Sequence, residues 1–514
     1  MDKISVDFMN VGFMLKRNAR HYPNKLAVVV GDLRLTYKEF NDRVNQTANS
    51  LSQLGVNKGD KVAMLLSNSI EMLELFWATA KIGAVIVPLN PMVKGKDNVF
   101  IINDCSPNLM VVGENYWGEI ESIKQEIKCT NTYVVVGERK TPGVYNYTAE
   151  RESALTTEPI TEIDENDECN IMYSSGTTGL PKGIVHTHKT RNMYAFLWSV
   201  EYGVSFESKV LAAGSLVFNG SLAFMYPTIC AGATYVLMPK FNTETALQLI
   251  ENEQITHTMF VPTQIISLLD SPGFDNERLN SLKVLLTLGA PLPTTRKKEV
   301  CEKLPGRLYE LYGLTEGFLT TLRPADVLRK IGSVGPPMIF NEFKIIDEDG
   351  EEVAIGEVGE IIGRGPTIMS EYYNNQEVTR SSVVDDNWIK TGDLGYCDDE
   401  GFIYLVDRKK DMIISGGVNI YPRDIEEVIS SHAEVAECAV FGIPHEKWGE
   451  TPVAQVILKP GASITEEALL LWVNERVSAR YQKLSQLLIV NEFPRNASGK
   501  ILKRKMKEVF SLTN

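Results

Sequence analysis

The chain has 514 residues, 44% hydrophobic and 23% charged, enough for a large core and two or more domains, and it holds no apolar run of membrane-spanning length. A formal net charge of −14 argues against a general nucleic-acid binder. Seven scattered cysteines without a CxxC pair give no disulfide or zinc framework and fit a reducing compartment; with no uninterrupted apolar signal region at the start, a cytoplasmic protein is expected.

Between Thr36 and Leu54 the residues Phe40, Val44, Ala48 and Leu51 keep helical spacing, Thr36 and Glu39 form a capping-box pair, and Gly55 supplies the stop. A strand at 62–66, a helix from Ser69 to Ile82 closed by Gly83, and an apolar strand at 84–87 ended by Pro88 follow. From there through the 140s the pattern is less regular. The run Tyr173–Gly183, YSSGTTGLPKG, then has the composition of a phosphate cradle: glycines let backbone N–H groups approach phosphate oxygens, Ser174, Thr177 and Thr178 add donors, and Lys182 adds a point charge. It is not the usual P-loop, because Leu180 and Pro181 separate Gly179 from Lys182. Apolar residues 171–173 and 184–185 make it a flexible loop between two strands, with a helix starting near His188; an ordinary Gly/Ser/Thr surface turn is the competing reading. His186 and His188 read as exposed loop histidines rather than a metal pair.

Strands at 210–213, 235–238, 258–261 and 284–288 alternate with helices around 221–230, from Thr243 and after Pro262, which implies parallel sheets covered by helices. Near Ile331 the pattern turns to short strands and tight turns, and the charged run 407–411, DRKKD, precedes a segment with helices at 422–429 and 465–477 and strands at 439–441 and 453–458. The expected fold is α/β: a large N-terminal domain, 1–406, made of two αβ subdomains at about 1–165 and 166–330 and a β-rich subdomain at 331–406. A hinge at 407–411 and a small mobile α+β domain at 412–514 follow.

Several separated stretches match one family in its order: the glycine loop, Gly289-Ala290-Pro291, Tyr312-Gly313-Leu314-Thr315-Glu316, Thr391-Gly392-Asp393, Asp407–Asp411, Ser415–Pro422 and Ser498-Gly499-Lys500. From about Phe13 to Met506 the chain resembles the adenylate-forming synthetases, which include acyl-CoA synthetases, firefly luciferases and the adenylation domains of peptide synthetases. The wording GGVNIYP resembles fatty and aryl acyl-CoA synthetases more than amino-acid activators.

That resemblance implies ATP-dependent activation of a carboxylic acid to an acyl-adenylate with Mg²⁺, then transfer to coenzyme A. It assigns Ser174, Ser175, Gly176, Thr177, Thr178, Gly179 and Lys182 to the β- and γ-phosphates, Thr315 to the α-phosphate, and Glu316 to Mg²⁺. Tyr312 and Gly289, Ala290 and Pro291 would flank adenine, and Asp393 with Arg408 would take the ribose, although a Gly-Asp pair alone reads as a turn. Lys500 would reach the carboxylate and α-phosphate; by itself it would read as a solvated lysine of a basic tail. Lys410 falls at the family's hinge position, and Gly416 and Gly417 would line the thiol channel or serve only as a turn. Asn219 stands where many relatives carry histidine, also at that channel. The implied acyl pocket comprises Phe218, Gly220, Ser221, Val261, Leu288, Leu311 and Gly313. Glycine at 313, where acetate-type relatives place a large side chain, implies room for a medium- or long-chain or other apolar acid. Transfer to the phosphopantetheine of a separate carrier protein is the alternative acceptor step, and a non-catalytic nucleotide-binding regulator the alternative of another class. The implied partners are otherwise small molecules, with neither nucleic acid nor integral membrane contact.

Overall fold

The computed structural model describes residues 10–139, 141–174, 181–384, 387–495 and 501–513. It forms two compact units, 1–342 with 364–389, and 343–363 with 390–514. No described helix is long and apolar enough to cross a membrane.

The first unit is built on two eight-stranded sheets. One runs, in spatial order, Leu319–Leu322, Leu308–Gly313, Val284–Leu288, His257–Met259, Lys209–Ala212, Thr234–Leu237, Leu26–Val30 and Leu33–Thr36. The other runs Glu371–Tyr372, Lys182–Thr187, Glu168–Ser174, Val85–Pro88, Lys61–Leu65, Leu109–Gly113, Thr132–Val136 and Tyr145–Asn146. Apart from Lys182–Thr187 and the edge strands, their strands run parallel, and parallel strands covered by helices on both faces read as near-continuous apolar runs such as Val284–Leu288. The sheets do not divide at 165/166. The strands at 26–36 join the sheet of residues 209–322, while 168–187 and 371–372 join that of residues 61–146.

Local signals set the helix ends. Thr36 accepts from the Glu39 N–H and Glu39 returns to the Thr36 N–H, capping Tyr37–Gln53. Ser69 caps Ile70–Ile82, and Gly83 at φ +69° closes it. The stretch through the 140s is regular after all: helix Lys96–Cys105, strand Leu109–Gly113, helix Trp117–Ile123 and strand Thr132–Val136. These elements are short, and polar residues interrupt their apolar periodicity.

The second unit holds most of a sheet that orders Glu342–Ile346, Gly359–Arg364, Trp388–Cys397 and Ile403–Arg408, the last two antiparallel. A further sheet places Val418–Ile420, Ile413–Ser415, Gly449–Leu458 and Val435–His445 side by side, with Gln486–Ile489 parallel to Gly449–Leu458. Ile425, Ile429, Leu469 and Val473 cover one part of its core, and Met506 and Phe510 pack with Phe441 in another. The boundary expected at 407–411 falls inside this unit, since the strand ending at Arg408 is bonded to the sheet that precedes it.

Candidate active site at the meeting of two hairpins

The phosphate-loop flanks are strands as the sequence suggests: Glu168–Ser174 and Lys182–Thr187 form an antiparallel pair in which Ser174 faces Lys182 and Tyr173 faces Gly183. Residues Ser175, Gly176, Thr177, Thr178 and Gly179 lie outside the described residues, as does Lys500. Gly183 is a glycine because a β-carbon there would lie 2.9 Å from Ile171 Cγ2 and 3.0 Å from the Tyr173 ring. Tyr173 in turn donates to Asp104 Oδ2 at 2.5 Å, tying the hairpin to the end of helix Lys96–Cys105.

The second motif is also a hairpin tip. Tyr312 and Gly313 end strand Leu308–Gly313, Leu314–Gly317 turn, and Leu319–Leu322 returns. Gly317, at φ +114°, presses against the Thr367 carbonyl where a β-carbon has no space. Thr367 Oγ1 donates to the Gly317 carbonyl at 2.6 Å, and Met369 N–H to that of Glu316 at 2.8 Å.

These two tips, from different sheets, are joined by two side chains. Tyr372, paired beside Ile184 at the edge of the phosphate-loop sheet, donates to Glu316 Oε1 at 2.7 Å, and Lys182 Nζ lies 5.3 Å from the centre of its ring. Burial and the Glu316 carboxylate both push the Tyr372 phenol up, so it stays a donor. His186 Nε2 sits 2.8 Å from the Thr315 carbonyl. The sequence reading missed Tyr372, and it misplaced His186 and His188, which are buried: His186 turns into the hairpin junction, and His188 Nδ1 accepts from the Val11 N–H at 3.2 Å. His186 lies near the end of strand Lys182–Thr187 and His188 opens the helix that follows, and burial there depends on which sheet the strand joins.

Tyr312 lies at the carboxyl end of strand Leu308–Gly313, and Gly289, Ala290 and Pro291 follow that of its parallel neighbour Val284–Leu288, with Leu288 in register with Leu311. That end of an open α/β sheet is where ligands bind. Val261 follows the next strand, and Phe218, Val261 and Leu288 pack on the same core as buried Leu311. Gly220 touches Leu288: a β-carbon there would lie 2.7 Å from Leu288 Cδ1. Ser221 packs over Gly214, and Asn219 Nδ2 reaches Tyr194 Oη at 3.5 Å. Gly313 departs from expectation. A β-carbon there would lie 2.5 Å from Leu319 Cδ2 and 2.8 Å from the Phe318 carbonyl, so the returning strand occupies the room read into this glycine.

In the second unit Asp393 is a buried strand residue, not a turn aspartate. It faces Arg408 in register, and Arg408 Nε lies 3.2 Å from its Oδ1. Thr391 Oγ1 accepts from the Asp393 N–H at 3.1 Å and donates to the Ile361 carbonyl at 2.7 Å, fixing the strand on which the carboxylate rides. Lys410 follows this strand and is exposed. Gly416 and Gly417 are the two-residue turn between Ile413–Ser415 and Val418–Ile420, both with positive φ (+60° and +81°), the conformation of a type I′ hairpin. Gly416 N–H donates to the Trp448 carbonyl at 2.7 Å, and a β-carbon at 416 would lie 2.9 Å from the Trp448 ring.

Known proteins resemble this chain over nearly its whole length. Residues 15–373 match the AMP-binding enzyme family and residues 424–500 the AMP-binding enzyme C-terminal domain. A long-chain-fatty-acid–CoA ligase of Mycobacterium tuberculosis, FadD13, is 34% identical over 508 residues, covering 98% of this chain and 99% of the relative. Among solved structures, ATP-bound MatB from Rhodopseudomonas palustris superposes with a TM-score of 0.89 at 28% identity, covering 98% of this chain and 99% of that one. The o-succinylbenzoate CoA synthetase MenE of Bacillus subtilis, with its acyl-adenylate OSB-AMP, gives 0.86 at 30% identity, covering 96% and 97%. The chain belongs to the AMP-binding enzymes, the adenylate-forming superfamily, and within it to the acyl-CoA synthetases.

Proposed function

We propose that this enzyme ligates an apolar carboxylic acid to coenzyme A in two half-reactions. In the first, a carboxylate oxygen attacks the α-phosphorus of ATP, the bond to the β-phosphate oxygen breaks, and pyrophosphate leaves. In the second, the thiolate of coenzyme A attacks the acyl carbon and AMP leaves. Charge develops on the phosphoryl oxygens in the first step, so prepositioned cations and N–H donors supply much of the acceleration.

The observation that carries this reading is the junction of the two hairpins, where Tyr372 and His186 hold Glu316 and Thr315 against the strand that carries Lys182. Lys182 and the loop before it hold the leaving phosphates, Thr315 meets the α-phosphate, and Asp393 and Arg408 take the ribose. Tyr312 and Gly289 to Pro291 flank adenine. Lys500 completes the α-phosphate site in adenylation, and the Gly416-Gly417 turn serves the thiol step after rotation about Lys410. Magnesium binds through one or two carboxylates plus phosphate oxygens and waters, so the single Glu316 carboxylate, with Oε1 oriented by Tyr372, fits that donor set. The ion neutralises phosphate charge when bound.

An apolar acid is supported by Val261, Leu288 and Leu311 at the carboxyl ends of three adjacent strands, with Gly220 admitting Leu288 beside them. Gly313 no longer bears on acid size. Coenzyme A is preferred to a carrier protein because the AMP-binding relatives above are CoA ligases and synthetases. All seven cysteines are free, which suits the cytoplasm. A panel of carboxylic acids of graded length and aromaticity, assayed for AMP release with and without coenzyme A, tests the reading. Apolar acids should give AMP release that coenzyme A accelerates; release only with an acyl carrier protein would move the acceptor, and preference for dicarboxylates would overturn the acid class.

A further inference from the structure

Helix His188–Tyr202 carries Arg191 in its first turn, where the helix dipole is least favourable to a cation, and the residue is completely buried. Among the described residues no carboxylate forms an ion pair with it. Its guanidinium instead lies 5.0 Å from the Tyr194 ring centre and 5.5 Å from that of Tyr226, and Nε donates to Asn170 Oδ1 at 2.7 Å. Nη2 lies 3.1 Å from His186 Nδ1, and the opposite ring nitrogen of His186 lies 2.8 Å from the Thr315 carbonyl. The donor inventory of this chain of contacts leaves one solution. An arginine N–H can only donate, so His186 Nδ1 accepts; a carbonyl can only accept, so Nε2 carries the hydrogen. The imidazole is neutral and fixed as one tautomer from both sides. A second proton would set two N–H groups against each other at Nδ1.

We propose that Arg191 and His186 are positioning residues for adenylation, a buried relay in which the guanidinium fixes the imidazole tautomer and the imidazole holds the Thr315 carbonyl at the hairpin junction. The inference rests on the reading above that the Thr315-Glu316 tip meets the phosphates. The relay gives a role to an otherwise costly feature, a buried cation that pairs with no carboxylate among the described residues. It also explains why a histidine, and not an apolar residue, faces inward at 186: Leu or Val there would fill the space but take their His186 partner from both the Thr315 carbonyl and Arg191 Nη2. Tyr372 clamps the side chain of Glu316 and His186 the backbone one residue earlier, so the tip is held at two consecutive residues from the same sheet.

The test uses the full-length enzyme in carboxylate-dependent ATP–pyrophosphate exchange. His186→Leu removes the donor, whereas His186→Gln keeps an amide N–H at similar reach. His186→Leu should lower the exchange kcat by about tenfold or more while KM for the acid changes by less than about twofold, and His186→Gln should recover most of the loss. A mere packing role would make Gln as damaging as Leu, and either that result or an undiminished His186→Leu rate would overturn the relay. Nitrogen-15 imidazole spectra of the wild-type enzyme give a readout independent of variant folding: the His186 resonances, assigned by their loss in His186→Gln or by selective labelling, should show Nε2–H with an unprotonated Nδ1, and the reverse tautomer would contradict the proposal. Glu316→Gln separates this from the underlying reading. If Glu316→Gln exchanges at the wild-type rate, the placement of the tip at the phosphates is wrong; if it is slow while His186→Leu is not, only the relay fails.

Discussion

The Tyr372 hydroxyl donates to Glu316 Oε1 at 2.7 Å, and through that bond the edge strand of one sheet reaches the hairpin tip of the other. Tyr372→Phe keeps the ring beside Lys182 and removes the bond alone. It should lower the adenylation rate by about tenfold and raise the magnesium concentration needed for half-maximal rate, in keeping with the magnesium role proposed for Glu316. A pyrophosphate-exchange titration with Mg²⁺ checks both; an unchanged titration would remove Tyr372 from the site.

Gly317 tests the other side of the tip. With φ +114° and the Thr367 carbonyl against the position of its missing β-carbon, Gly317→Ala combines backbone strain with overpacking. Destabilisation by about 3 kcal/mol is expected. Thermal unfolding of the purified variant should show a lowered Tm, and a Tm equal to wild type would mean that the loop moves freely.

Asp393→Ala should act on nucleotide affinity. The carboxylate is buried and paired with Arg408, so its removal takes away the acceptor proposed for the ribose and leaves a guanidinium without its partner. KM for ATP should rise by about tenfold or more, in line with loss of a charge-assisted hydrogen bond of roughly 1.5–3 kcal/mol. Initial-rate kinetics at saturating acid measure it, and KM for the acid should move little.

Two buried histidines predict the acid limb of stability. Burial lowers His188 and His257 to about 4, while the unfolded side chain titrates near 6.5. Below that value the unfolded chain binds protons that the folded chain does not, so stability present at neutral pH is lost as pH falls from about 6.5 toward 4. Each histidine contributes a slope of up to about 1.4 kcal/mol per pH unit. Urea unfolding at pH 7.5 and 5.5 should show the loss, and His257→Gln should make it shallower; equal midpoints at the two pH values would contradict it.

What the sequence could show follows from which interactions are local. The Thr36–Glu39 box, Ser69 and Gly83 at the ends of one helix, and the apolar strand Val284–Leu288 each carry their signal within a few residues, and the structure has them where the pattern puts them. The strands flanking the motifs that carry Lys182, Thr315 and Glu316 are local in the same way. Sheet membership is not: strands 26–36 and 168–187 pair with partners far away in sequence, and no local pattern marks a crossover. Consequently His186 and His188 read as exposed, Tyr372 gave no signal, and the space beside Gly313 looked empty until the returning strand at Leu319 filled it. Gly416-Gly417 was ambiguous because paired positive φ values serve a tight turn wherever it points.

The central claim is that the hairpin junction forms an acyl-adenylate before coenzyme A is needed. Single-turnover incubation of the enzyme with MgATP and its preferred acid, without coenzyme A, followed by quenching and separation of products, tests it directly. The wild-type enzyme should accumulate enzyme-bound acyl-AMP and pyrophosphate in equal amounts, coenzyme A should then convert the adenylate to thioester and AMP, and Glu316→Gln should slow the first phase. Formation of ADP and phosphate, or thioester formation with no adenylate at any time, would contradict the account.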